Sequence, residues 1–278
     1  MSLVTYQAHN TGWHNFNDGT LVPYDGSTGY IPGWGTPTWE DDFEGSSLDP
    51  AVWNVRNGYQ EAQDMSTMRA SNVVVENSCV RLIAKKETFN GRDYTSGYID
   101  TIGKWTRRYG RFEFRARLPI DSNTRGMWPG LWLRDATGTG EIDVIESIGG
   151  PNNHPEVYPT NGGYYSSSLY KVTGMKTPIE TYPYWSQVFK NINAADGQFH
   201  SWAFEWTPTY LSFFCDGIVQ KTFSPQEWAA FEPGFPSGVN IRIDLFVGSS
   251  WGGWPNDTDT ILPRSMDLDY VRYWEYQP

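Results

Sequence analysis

The sequence predicts an all-β domain, a sandwich or a barrel. Three observations carry this: short runs of alternating or β-branched residues, a single helical segment, and frequent Gly and Pro between them. The 28 Gly and 18 Pro among 278 residues supply the turns that many short strands require. A chain of this length fits one large all-β domain.

Residues 1–37 stand apart. They are rich in Gly, Asn, Pro and aromatic residues, as in Tyr24-Asp25-Gly26-Ser27-Thr28-Gly29-Tyr30, and show neither strand nor helix period. They read as an irregular arm, flexible or laid over the surface of a domain spanning 38–278. Val73–Val75 and Val80–Ala84 read as a hairpin joined at Glu76-Asn77-Ser78. Arg111–Leu118 alternates charged and apolar residues over eight positions, the pattern of a half-buried antiparallel strand. Ser201–Trp206 and Tyr210–Cys215 form a second hairpin, and Asp216-Gly217 turns the chain into Ile218-Val219. The helix is Ser224–Phe231, with Ser224 as cap, Pro225 in the first turn and Glu227 completing a capping box. Asn240–Val247 and Met266–Trp274 add two more strands.

Composition excludes several classes of function. The net charge is −11, from 21 basic and 32 acidic residues, which offers no basic footprint for nucleic acid and no attraction to an anionic membrane. No run of 18 apolar residues exists to span a bilayer. Cys79 and Cys215 are too few for a disulfide scaffold or a Cys-rich metal site, and either a pair or two separate thiols fits them. The histidines lack metal-ligand spacing. The start carries no charged n-region followed by an apolar stretch, so no signal peptide is visible. Aromatic residues make up 16% of the chain, enough to pack a core and still present rings to sugar faces.

The stretch Glu141-Ile142-Asp143-Val144-Ile145-Glu146 sets three acids inside an apolar strand pattern. In a regular strand Glu141 and Asp143 share a face and Glu146 points the other way. A one-residue bulge near 144–145 would return Glu146 to the face of the other two and bury the apolar side chains opposite. Retaining glycoside hydrolysis needs such a set, one ionised carboxylate nucleophile and one protonated carboxylic acid. A third carboxylate can hydrogen-bond the first and raise the pKa of the second. A solvated strand face or an acidic calcium site is the plainer reading of the same residues.

This hexapeptide resembles the E-[ILV]-D-x-x-E motif of the family 16 glycoside hydrolases, in particular the laminarinase-like branch of endo-β-1,3-glucanases. Further segments resemble that family in order along the chain: Trp39–Gly45, Tyr109–Arg115, Gly126–Leu133, Phe199–Trp206, Val247–Trp251 and Asp267–Arg272. The resemblance implies a jelly-roll β-sandwich of two antiparallel sheets with a concave substrate cleft. It implies Glu141 as nucleophile, Asp143 as assistant and Glu146 as general acid/base. It points to Trp128, Trp132 and Trp251 as rings in the cleft, with core packing as their alternative use. It implies no cofactor for catalysis, and a structural calcium to which Asp269 contributes alongside carbonyls near Gly45.

The expected substrate is a β-1,3- or mixed-linkage glucan, cleaved internally by a secreted or cell-surface monomer. A catalytically silent glycan-binding protein on the same fold is the alternative, as is a hydrolase or transglycosylase for another glycan such as a galactan. Several residues depart from the family pattern: Tyr170 stands where a His is common, Tyr98 where an Arg is, and Asp244 where an Asn is. Arg134–Gly140 lacks the usual aromatic residue. These changes place Tyr170 among the expected sugar contacts.

Overall fold

The computed structural model describes residues 29–31, 33–157, 163–171 and 183–278, and the backbone of two strands within the first 25. In chain order the strands are β1 (Thr11–Asn15), β2 (Leu21–Asp25), β3 (Trp39–Asp41), β4 (Asn54–Val55), β5 (Ser66–Met68), β6 (Val73–Glu76), β7 (Cys79–Phe89), β8 (Arg92–Ser96), β9 (Tyr98–Asp100) and β10 (Gly110–Arg117). They continue as β11 (Met127–Asp135), β12 (Glu141–Glu146), β13 (Tyr165–Tyr170), β14 (Tyr184–Phe189), β15 (His200–Trp206), β16 (Leu211–Cys215), β17 (Ile218–Phe223), β18 (Val239–Val247) and β19 (Arg264–Glu275), with one α-helix among the described residues, α1 (Pro225–Phe231), between β17 and β18.

Two sheets face each other. The larger runs β17-β16-β15-β10-β19-β7-β8-β5, with β3 on β19 and β6 on β7. The smaller runs β14-β13-β12-β11-β18-β9-β4. Among the described residues all strand pairings are antiparallel except β5 with β8. Leu131, Leu133, Ile142, Val144, Ile145, Ile241, Ile243 and Leu245 from the smaller sheet meet Phe112, Phe114, Trp202, Phe204 and Leu268 from the larger one in one buried cluster. This is the expected β-sandwich, and its core leaves the outer face of the smaller sheet free to carry chemistry.

The local expectations are met at the turns. Asn77 and Ser78 both take positive φ (53° each) between β6 and β7, as a tight hairpin demands. Asp216 and Gly217 do the same between β16 and β17 (48° and 72°). Helix α1 has the full capping box, with Ser224 accepting from the Glu227 N–H and the Glu227 carboxylate accepting from the Ser224 N–H. Cys79 and Cys215 are both free thiols.

Strand β10 differs from its expected half-burial. Phe112, Phe114 and Ala116 face the core, yet Arg111 and Glu113 on the other side are also buried. Arg111 donates to Glu113 at 2.7 Å and to Glu205 at 2.9 Å, and Tyr270 donates to Glu113 at 2.7 Å. Residues 29–37 lie over this network. Trp34 donates its indole N–H to Glu205 at 2.9 Å, and Ile31 packs on Trp274. Trp274 in turn donates to the carbonyls of Gly29 and Gly35. Part of the arm therefore closes the outer face of the larger sheet, and β1 with β2 forms a hairpin inside the stretch read as irregular. Strand period alone could not show this cover, because it comes from a segment with no period of its own.

Candidate active site

The site forms on the smaller sheet, around β12. Opposite β11, Leu131 pairs with Ile145 and the next residue, Trp132, pairs with Asp143, so Val144 is the extra residue of a bulge. Opposite β13, Asp143 pairs with Ser168 and Glu146 with Ser166, three steps against two. Ile142, Val144 and Ile145 all enter the core. Glu141, Asp143 and Glu146 all line one cleft of about 320 Å³. The bulge is what puts them together, since an unbroken strand would bury Glu146 beside Ile142.

The rest of the cleft comes from four other segments. Strand β11 gives Trp128, Gly130, Trp132 and Arg134, and β18 gives Asp244 and Phe246. Strand β13 gives Tyr170, which stands directly across from Glu141 in register. The loop between β4 and β5 gives Glu61 and Gln63. At Gly130 a Cβ would lie 3.3 Å from the Asp244 carboxylate, so glycine keeps the floor open between the two tryptophans.

Trp128 donates its indole N–H to Glu146 Oε1 at 3.1 Å, and Trp132 donates to Asp244 Oδ2 at 2.6 Å. Trp251 meets Trp128 edge-on, with ring centroids 5.4 Å apart. Arg242 lies over the Trp132 ring at 4.8 Å, and Trp132 packs with Trp128 against a cluster of Tyr98, Met68 and Phe246. Tyr98 is itself buried, so its role is to support Trp132.

Different charges act on the two glutamates. Burial raises both, each to about 7. For Glu141 that level already includes a lowering by the guanidinium groups of Arg134 and Arg242 and a smaller push upward from Glu61. On Glu146 the second cause after burial is the charge of Glu141, which raises it further, and the Trp128 hydrogen bond opposes this. Asp143 is held well above the usual carboxylate range by burial and then by Glu146, Glu141 and Asp244. The positive charges of Arg134 and Arg242 bear on Glu141 and the negative charge of Glu141 bears on Glu146, so the two neighbourhoods act in opposite directions.

These shifts have a consequence for stability. Burial also raises Asp64, to about 7, and Asp244. Groups raised in the folded state bind more protons there than in the unfolded chain between about pH 4 and 7. Their stabilising contribution is full below their unfolded pKa values and is lost as pH rises through the folded ones. Asp143→Asn is therefore expected to raise Tm at pH 8 but not at pH 4. The scale is about 2–4 °C for each kcal/mol recovered. Calorimetry at both pH values checks this, and an equal shift at both would contradict it.

Of the residues singled out in the sequence, Glu141, Asp143, Glu146, Trp128, Trp132 and Tyr170 meet in the cleft, and Trp251 lines an adjoining groove. Asp269 does not join them. It sits on β19 in the larger sheet, and its carboxylate is paired with Arg115. No three His, Cys, Asp or Glu gather as a metal site among the described residues. The expected calcium ligand is thus an ion-pair partner, because a guanidinium already meets its charge. Glu61 and Gln63 were not anticipated. Their loop carries no strand or helix period, and they reach the cleft through Asp64. That buried carboxylate accepts from the N–H groups of Ser66 and Val247 and from the Ser66 hydroxyl. Arg92 clamps the same loop by donating to the carbonyls of Ser66 and Glu61.

Comparison with known proteins fits this geometry. Residues 60–271 match the family described as glycosyl hydrolases family 16. The chain is 29% identical over 260 residues to a β-glucanase of Rhodothermus marinus, covering 86% of this chain and 84% of that protein. It is 26% identical to glucan endo-1,3-beta-glucosidase A1 of Niallia circulans, where the match covers 87% of this chain but only 40% of the relative. The solved laminarinase from Rhodothermus marinus superposes with a TM-score of 0.70 at 26% identity, over 87% of this chain and 98% of the other.

Proposed function

Since the chain belongs to the glycosyl hydrolases of family 16 and is an endo-acting β-glucan hydrolase, we propose that Glu141, Asp143 and Glu146 cleave the glucan by double displacement with net retention. The observation that carries this reading is the bulge of β12, which sets the three carboxylates in one cleft. Glu141 attacks the anomeric carbon while Glu146 protonates the departing glycosidic oxygen. The bond from the sugar to Glu141 replaces the bond to the leaving group. Glu146, now ionised, then takes a proton from water, whose oxygen displaces Glu141. Asp143 lies between them, keeps a proton through burial and repulsion, and steadies Glu141 as charge shifts. Trp128 orients Glu146 through its indole N–H.

The substrate is a β-1,3- or mixed-linkage glucan in this reading, with Trp128, Trp132, Tyr170 and Trp251 contacting sugars. Family 16 enzymes need no catalytic cofactor, and side chains alone account for each step. A calcium at Asp269 is not part of the proposal, given Arg115. Residues 38–278 form the catalytic sandwich, residues 1–37 an arm upon it, and the enzyme works as a monomer outside the cell or at its surface. No helix among the described residues is long and apolar enough to cross a membrane.

The test is digestion of laminarin, lichenan, agarose, carrageenan and xyloglucan, with NMR of the first product. Laminarin or lichenan should be cut to give the β-anomer first. An α-anomer would overturn retention, and cleavage confined to agarose or carrageenan would overturn the glucan assignment. The rate should follow a narrow bell centred near neutral pH. It falls on the acid side as Glu141 takes a proton and on the alkaline side as Glu146 loses one. A flat profile from pH 5 to 9 would count against these two groups.

A further inference from the structure

On the far side of the sandwich from the cleft, a pocket of about 330 Å³ opens where the outer face of the larger sheet meets the loop after β10. Val80, Leu82, Ala116, Met266 and Leu268 point into the core. Alternation therefore turns Arg81, Arg117 and Asp267 outward. Arg264, at the start of β19, completes a set of three guanidinium groups, and Asp121 and Asp267 are the carboxylates beside them. Three positive charges against two negative ones leave the pocket positive, in a chain whose net charge is −11. We infer that this pocket binds the acid groups of an anionic polysaccharide, and so holds the enzyme to that polymer while the cleft stays free for glucan.

The cations exceed what the local carboxylates need. Asp267 is buried and already accepts from Arg81 Nε at 3.0 Å and from the Ser265 hydroxyl at 2.7 Å. Arg117 adds a further donor at 2.5 Å through one terminal nitrogen. Phe199 backs its guanidinium at 4.9 Å, and the side chain is 45% exposed. Arg264 stands 3.2 Å from one oxygen of Asp121, whose other oxygen accepts from the Asn123 N–H. The Nε of Arg264 is buried and has no acceptor among the described residues. A guanidinium fixed in place with donors to spare suits a carboxylate or a sulfate ester, which it meets with paired N–H···O bonds.

The rest of the pocket favours a sugar as the bearer of that group. Its volume is close to the 320 Å³ of the cleft, so a pyranose ring has room. Leu118, Pro119 and Ile120 add an apolar surface beside the charges, suited to the C–H face of the ring, and the Ser265 hydroxyl suits its hydroxyl groups. A surplus of one charge is far too small a footprint for nucleic acid or an anionic membrane. It matches one uronate or one sulfate ester, each a monovalent oxyanion on a pyranose.

The test is calorimetric titration of the full chain with a β-linked oligoglucuronate, a sulfated gluco-oligosaccharide, polyglutamate and inorganic sulfate. At least one of the two acidic glycans should bind, and the tighter one identifies the acid group. Combining Arg117→Gln with Arg264→Gln should weaken that binding at least tenfold and leave kcat/KM on laminarin within twofold of wild type, which also reports an intact fold. The same glycan, at concentrations that fill the pocket, should not inhibit laminarin hydrolysis. Binding of neither glycan would overturn the inference, as would equal binding by the double variant. Competitive inhibition with a constant equal to the Kd would put the glycan in the cleft and overturn it too. Polyglutamate bound as tightly as the glycan would overturn the polysaccharide class, and so would binding of inorganic sulfate alone.

Discussion

Glu141→Gln is expected to lower kcat on β-glucan on the order of 10⁴-fold or more, the scale of losing a nucleophile from a group of residues that act together. The amide keeps the size of the side chain and its place opposite Tyr170, so the loss is chemical. It removes the negative charge that Arg134 and Arg242 favour, and with it the electron pair that forms the glycosyl bond. Replacing a half-buried carboxylate near other acids also relieves repulsion, so the variant should be folded and at least as stable as the parent at pH 8. Rapid-mixing assays on laminarin, beside a thermal melt, check both parts. Activity within tenfold of wild type would mean that another group attacks the sugar.

Glu146→Gln is expected to cost about 10²–10⁴-fold on glucan, the usual contribution of a general acid. The defect should depend on the leaving group. Sugar alkoxide needs a proton to depart, whereas fluoride needs far less help, so the first step on a glycosyl fluoride should be nearly normal. The second step still lacks its base, and the glycosyl-enzyme should accumulate as a burst. Azide, which needs no base, should restore turnover and give a β-glycosyl azide. Equal losses on glucan and fluoride, with no burst, would assign Glu146 a structural role. Trp128 donates to the same oxygen-bearing group, and an amide at 146 can still accept that bond, so the geometry of the variant is a fair comparison.

Much of the fold was legible because it is written in local pattern. Alternation marks β10, paired positive-φ residues mark the hairpins at Asn77-Ser78 and Asp216-Gly217, and the box from Ser224 to Glu227 marks the helix. The outer side of β10 was not legible, since alternation says that a face is polar and not whether a distant segment covers it. Trp34 covers it by donating to Glu205, the acid on β15 that Arg111 also holds.

The hexapeptide of β12 shows the same division at the site. Its break in alternation pointed to the bulge, because a strand whose apolar residues fall at 142, 144 and 145 can bury all three only by inserting a residue. The charges that surround Glu141 and Glu146 were decided by tertiary structure. Arg134 comes from β11, Arg242 from β18, and Glu61 and Gln63 from a loop fastened by Asp64 and Arg92. Covalent neighbours fix which face a side chain takes, whereas electrostatics and recognition depend on what lies across a few ångströms of space, and only the folded sheet sets that.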